Sequence, residues 1–295
     1  MRQNREQIIL VALLLFLAVG VTAFAEVDSP LRPASPQILG QGGSAVATAS
    51  GYEALFSNPA GFVSSEGSVT FYTSSFWLYA NPLQAFLALV DSDSSALQSF
   101  MEDQLTSGGF GFGNADGIGY VGRGFGVGGL ICIDTFAWGA DTLSAEGNLV
   151  VTVAFIGGYA FPIKIKNAIV KFGVDFRPMI RIRAPVDHTT MVDFVDALQS
   201  DANPLATLNS AEALHGTGLG IDLGVIVEWE ELRWGLAVRD FLNTRFKYSR
   251  DPFGDILVSL RETGTFPKGG AVEDGYFVPM DISTGFAYDF DFGNS

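Results

Sequence analysis

Between Asn167 and Ala184 the chain sets Lys171, Asp175, Arg177, Arg181 and Arg183 at even spacing, and Arg233 and Arg239 recur on a later segment. In an extended chain, residues an even number apart share one face. Guanidinium groups gathered there hold carboxylates through paired hydrogen bonds. Two chemistries follow: capture of an anionic ligand such as a fatty-acid carboxylate, or pairing with the chain's own acids, which is the commoner use. Catalysis finds less support. His188 and His215 fall in one stretch between strands, with no G-x-S-x-G nucleophile, so an enzyme is not expected. The single cysteine, Cys132, excludes a disulfide framework and a Cys-based zinc site, and no metal or cofactor is expected. Gly124-Phe-Gly-Val-Gly-Gly129 matches G-x-G-x-x-G, but its glycines continue every second residue from Gly122, opposite Phe125, Val127 and Ile131. They read as the small face of a strand rather than a dinucleotide turn. Asp91-Ser-Asp93 lacks the glycine and terminal glutamate of a calcium loop.

The elements that carry these residues are strands. Opposite the charges of the first segment stand Ala168, Val170, Phe172, Val174, Phe176, Pro178, Ile180 and Ile182. Period-two alternation of this length predicts a strand with one apolar and one polar face. Thr217–Trp229, Leu232–Arg239 and Val278–Phe290 repeat it, and Ser68–Ala80, Gly109–Gly122, Gly124–Ala137 and Gly147–Phe161 do so more weakly. About eight strands result. Short links at Arg123, Pro162–Lys166 and Glu230–Glu231 alternate with longer ones at Asn81–Gly108, Trp138–Glu146, Pro185–Gly216 and Ser249–Gly275. Short turns on one side, long loops on the other and an apolar outward face predict an all-β, transmembrane outer-membrane β-barrel. Trp77, Tyr79, Tyr159, Trp229, Tyr248 and Tyr276 stand near strand ends, as interfacial girdles do. Ala96–Leu105 and Met191–Leu198 have helical spacing, as lids on the rim or an apolar landing site at the mouth.

Composition agrees. With 295 residues, 48% hydrophobic and 13% aromatic, the chain is not disordered, and a net charge of −15 disfavours nucleic acid as a partner. Arg2 and Arg5 precede an uncharged run from Ile8 that ends Thr22-Ala-Phe-Ala25, the pattern of a cleaved signal peptide over residues 1–25. The expected location is the cell outer membrane of a diderm bacterium. After Ala25 no stretch is long and apolar enough for a membrane helix.

Before the first strand the chain reads Gly40-Gln-Gly-Gly-Ser-Ala-Val-Ala-Thr-Ala-Ser-Gly-Tyr-Glu-Ala-Leu-Phe-Ser-Asn-Pro-Ala-Gly-Phe62. Its small residues Gly42, Gly43, Ala45, Ala47 and Ala54 lead into Asn58-Pro59-Ala60-Gly61. This block resembles the opening of the FadL-type outer-membrane transporters of hydrophobic compounds, including their spirochaetal relatives. The resemblance implies a fourteen-stranded barrel (67–295) with an N-terminal hatch or plug (26–66) inside it. It implies passive transport of long-chain fatty acids or other hydrophobic compounds, with outer-membrane lipid around the barrel. Asn58, Pro59, Ala60 and Gly61 would belong to the hatch, as gate or as anchor. Lys171, Arg177, Arg181, Arg183, Arg233 and Arg239 are the candidate ligand-binding residues of the lumen. About eight visible strands fall short of fourteen, and a closed eight-stranded barrel is filled by its own side chains. The favoured reconciliation is a truncated or incomplete barrel; a missed set of strands or closure by oligomerisation are the others, and the oligomeric state stays open. A scaffold barrel that docks partners through its loops and a hydrophilic porin are the alternative functions.

Overall fold

A computed structural model describes residues 28, 30–31, 38, 45–64, 66–81, 90, 94–139, 144, 146–186, 209–272 and 276–289. The leader expected at 1–25, Gly42, Gly43, Asp91–Asp93, His188, the helix expected at Met191–Leu198 and the end of the chain from Phe290 lie outside the described residues.

Antiparallel sheet dominates. Its strands are β1 (Ser68–Tyr79), β2 (Phe110–Gly122), β3 (Phe125–Trp138), β4 (Glu146–Ile165), β5 (Ala168–Val186), β6 (Glu212–Trp229), β7 (Leu232–Arg239), β8 (Thr244–Pro252), β9 (Gly270–Ala271), β10 (Tyr276–Val278) and β11 (Asp281–Tyr288). They pair in the order β1-β2-β3-β4-β5-β6-β7-β11, while β8 pairs with β6, β9 and β10. One half of β6 (Leu223–Trp229) faces β7 and the other (Glu212–Gly218) faces β8. β10 and β11 divide in the same way between β8 and β7. Leu232–Pro252 and Tyr276–Tyr288 are thus two long strands, each interrupted once. Apart from the two-residue β9, the sheet is a meander of eight long strands, the number that the alternation predicts.

The meander forms a curled half-barrel rather than a closed cylinder. Among the described residues β1 pairs only with β2, and the β10–β11 strand pairs only with β7 and β8. An open wall leaves its concave side accessible to the N-terminal stretch. One stretch, Val46–Phe62, touches strands from β2 to β7 on the inner side.

The faces have the inverse polarity of a water-soluble sheet. Outward stand Phe71, Phe155, Phe172, Phe176, Leu219, Ile282 and Phe286, with Phe71 88% and Phe286 73% exposed. Inward stand glycines, charges and an apolar cluster that includes Leu55, Phe62, Ile156 and Phe246, with Arg177 at 0% and Asp175 at 1%. Helix α2 (Ser94–Ser107) precedes β2, and α3 (Phe253–Thr263) follows β8. Leu105 of α2 and Phe253 and Ile256 of α3 share an apolar cluster with Leu149, Ile182, Ala184 and Ala213, on the outer side of the strands at their long-loop ends. No described helix is long and apolar enough to cross a membrane.

Several local expectations change. The turn expected at Pro162–Lys166 tightens to Lys166-Asn167, because β4 runs on to Ile165. Proline is tolerated there because the last β3–β4 pair is Phe125↔Tyr159, so beyond it β4 has β5 on one side only. His215, expected in a loop, lies on β6, where its Nε2 is 2.7 Å from Asp251 Oδ2 and its ring rests on Phe266. That pair sits beneath the apolar cover at the long-loop end, which lets the strand continue past the alternating region. Of the expected girdle aromatics, only Tyr159 and Trp229 stand exposed on the outer face. Trp77 and Tyr79 line an inner pocket, and Tyr248 and Tyr276 are buried in the inner cluster. Proximity to a strand end does not fix the side of the sheet; parity along the strand does.

Candidate functional site on the inner face

The stretch from Ala45 to Val63 folds as small turns: a 3₁₀ turn at Gly51–Glu53, the short helix α1 (Ala54–Ser57) and a 3₁₀ turn at Pro59–Phe62. Asn58 starts the last turn. Its Oδ1 accepts from the Ala60 N–H at 3.0 Å, and Pro59 presets the first turning residue. Its Nδ2 donates to the carbonyls of Val46 at 2.8 Å, Val225 of β6 at 3.2 Å and Leu236 of β7 at 3.3 Å. One fully buried amide therefore ties the stretch to itself and to two strands of the wall.

Glycines in the wall make room for it. A Cβ on Gly173 would lie 2.2 Å from the Pro59 carbonyl carbon, and one on Gly224 would lie 1.9 Å from Asn58 Oδ1. At Gly126 and Gly158 it would strike the Phe62 ring, at Gly128 the Leu55 side chain, and at Gly117 the Tyr52 hydroxyl. Gly126 and Gly128 belong to the false dinucleotide motif; they are the floor on which α1 and Phe62 rest. Burial, and then the neighbouring Glu53 carboxylate, pushes the Tyr52 phenol well above its ordinary value, so it stays protonated and donates to the Gly129 carbonyl at 3.3 Å.

Beside this stretch lies a network of buried charge. Arg177 holds Asp222 at 2.6 Å and Asp240 at 2.8 Å. Arg239 reaches Asp222 at 3.4 Å and donates to the Leu31 carbonyl at 3.1 Å. Arg181 lies 3.0 Å from Asp28 and donates to Thr152 at 3.0 Å, with its guanidinium over the Phe246 ring. Asp28 also accepts from the Tyr248 hydroxyl at 2.6 Å and lies 3.9 Å from Arg183. Asp175, directly across from Asp222, has no hydrogen-bond partner for either oxygen among the described residues. Four arginines thus face four aspartates.

The backbone aims one of these groups. Asp240, Leu242 and Asn243, in the break between β7 and β8, have φ of 50°, 66° and 62°. Left-handed backbone at non-glycine residues is costly and persists where its surroundings hold it. Here the Asp240 N–H donates to Asp222 at 2.8 Å, Thr244 donates to Asp240 at 2.7 Å, and the Met280 N–H donates to Asn243 at 2.8 Å.

Of the six lumen candidates, the structure brings Arg177, Arg181, Arg183 and Arg239 together. Lys171 and Arg233 share the inner face but lie toward the short-turn end, where Lys171 pairs with Glu228 at 2.6 Å and Arg233 with the exposed Asp289. Asn58, Pro59, Ala60 and Gly61 are all buried against the wall. Sequence reasoning missed Asp28, which lies close to the expected leader and outside any periodic segment. It also missed Asp134. That residue lines a pocket of about 50 Å3 with Pro30, Leu31, Trp77, Tyr79, Cys132, Val150, Thr152 and Arg181. Its signal was its parity along β3, an even number of residues from Gly124, Gly126 and Gly128.

Comparison with protein-family models, with curated proteins and with solved structures finds no match to this chain.

Proposed function

We propose that this chain forms the wall and hatch of an outer-membrane barrel for passive transport of long-chain fatty acids or other hydrophobic compounds, as its resemblance to FadL-type transporters implies. The observation that carries the reading is the inverted polarity of the sheet: large apolar side chains exposed outward, ion pairs and a folded N-terminal stretch buried inward. Such a wall is stable when lipid covers the outer side and the hollow is packed or wet. On this reading residues 26–66 act as the hatch. Asn58 docks it, and Asp28 fastens it to Arg181 and Tyr248. A hydrophilic porin is disfavoured, because the ion pairs of the inner face are closed on one another and an amide-pinned turn lies beside them.

The test is reconstitution of the full chain into liposomes, with uptake of a fluorescent fatty acid and ion conductance measured in parallel. The expected result is uptake above that of protein-free liposomes, with little conductance. Steady conductance without uptake would favour a porin, and recovery of the protein as a water-soluble species would overturn the membrane reading altogether.

A further inference from the structure

The inner-face pocket has an unequal distribution of charge. Arg181, its one cation, is committed to Asp28 and Thr152. Asp134, its acid, has a neutral hydrogen-bond donor: Trp77 Nε1 donates to its Oδ1 at 3.0 Å, and Tyr79 lines the same pocket. No cation of the described residues lies within ion-pair distance of it. A carboxylate offers about four acceptor sites, so this leaves room for a ligand. The remaining walls are apolar or aromatic: Pro30, Leu31, Val150, Cys132 and the rings of Trp77 and Tyr79. A half-buried carboxylate between two aromatic rings complements an ammonium group through ion pairing and through attraction of the cation to the rings. It repels a second carboxylate.

We propose that this pocket binds hydrophobic ammonium compounds, with the head at Asp134 and the tail along Leu31 and Val150, and that it discriminates against fatty-acid anions. The inference rests on the transport reading only in treating the inner face as the ligand's path; binding itself is measured without transport.

The test uses the purified full chain in detergent, with octylammonium and octanoate as probes of equal chain length and opposite charge. Octylammonium should bind at least about tenfold more tightly than octanoate, and Asp134→Asn should weaken it about tenfold while Asp134→Glu retains it. Tighter binding of octanoate, or equal binding of the two probes, would overturn the inference. Liposome uptake of fatty acid reports separately on the transport reading, so the two can fail independently.

Discussion

Arg177 serves two aspartates at once, and its side chain is fully buried. Two charges in a dry site are stable only while both have partners, and loss of the cation leaves Asp240 without an ion pair and Asp222 with Arg239 alone. Arg177→Ala should destabilise the folded form by about 3–5 kcal/mol, read as a lower denaturant midpoint in detergent. Arg233→Ala, at an ion pair whose side chains are 30% and 66% exposed, should cost less than about 1 kcal/mol in the same assay. Asn58 offers a sharper contrast. Its Nδ2 faces three carbonyl oxygens while its Oδ1 caps a turn. Asn58→Asp keeps the shape and the cap but turns a donor into a negative charge facing those oxygens. It should therefore displace the stretch more than Asn58→Ala does, although aspartate is the closer isostere. Protease cleavage between residues 45 and 64 measures that displacement.

The glycine-bearing strands and the N-terminal turns are shaped to each other. Gly173 and Gly224, on the adjacent strands β5 and β6, lie directly opposite in register and touch Pro59 and Asn58. Gly173→Leu should leave the ladder intact, since leucine fits a strand, but expel Pro59 and Ala60 from the wall. Faster amide exchange over residues 58–62, with unchanged exchange in β5, is the expected signature. Gly157→Ala is the control, because a Cβ there meets nothing within 4 Å and should change neither. At this scale much was legible in the sequence. Alternation of Val170, Phe172 and Val174 with Lys171, Gly173 and Asp175 gives β5 and its two faces. The lengths of the links give the order of the strands. What the sequence does not carry is the choice of partner. Arg177 could meet any acid of the inner face, and it meets Asp240 because a break of left-handed residues, invisible to a two-residue period, turns that side chain inward. Asp28 is hidden for a related reason. Its contacts with Arg181 and Tyr248 span long separations in the chain, and nothing local to it has a period.

Across the whole molecule the outer apolar surface has a boundary. On β4 the outward positions from Phe155 to Ile165 are exposed, whereas Leu149 lies in the cluster with Leu105 of α2 and Ile256 of α3. On β6 the same change falls between Leu219, which is exposed, and Ala213, which is covered. The exposed run is about ten residues, or roughly 33 Å of strand; at a tilt of about 40° it spans about 25 Å, the height of an outer-membrane apolar band. The two helices therefore cover the part of the wall beyond that run on the long-loop side. This arrangement makes a prediction that depends on the side of each residue rather than on hydrophobicity. Trp229 is exposed on the outer face near the short-turn end, while Trp77 faces inward and donates to Asp134. In single-tryptophan variants reconstituted with brominated lipid, Trp229 fluorescence should be strongly quenched. Trp77 should be shielded from the bromines, because the wall stands between its ring and the acyl chains. Equal quenching of the two would mean that lipid reaches both faces, and the sheet would not be one side of a barrel. A water-soluble quencher supplies the converse measurement: if Trp229 is reached by it as readily as by brominated lipid, the outer face is wet, and the band of exposed phenylalanines faces water rather than lipid.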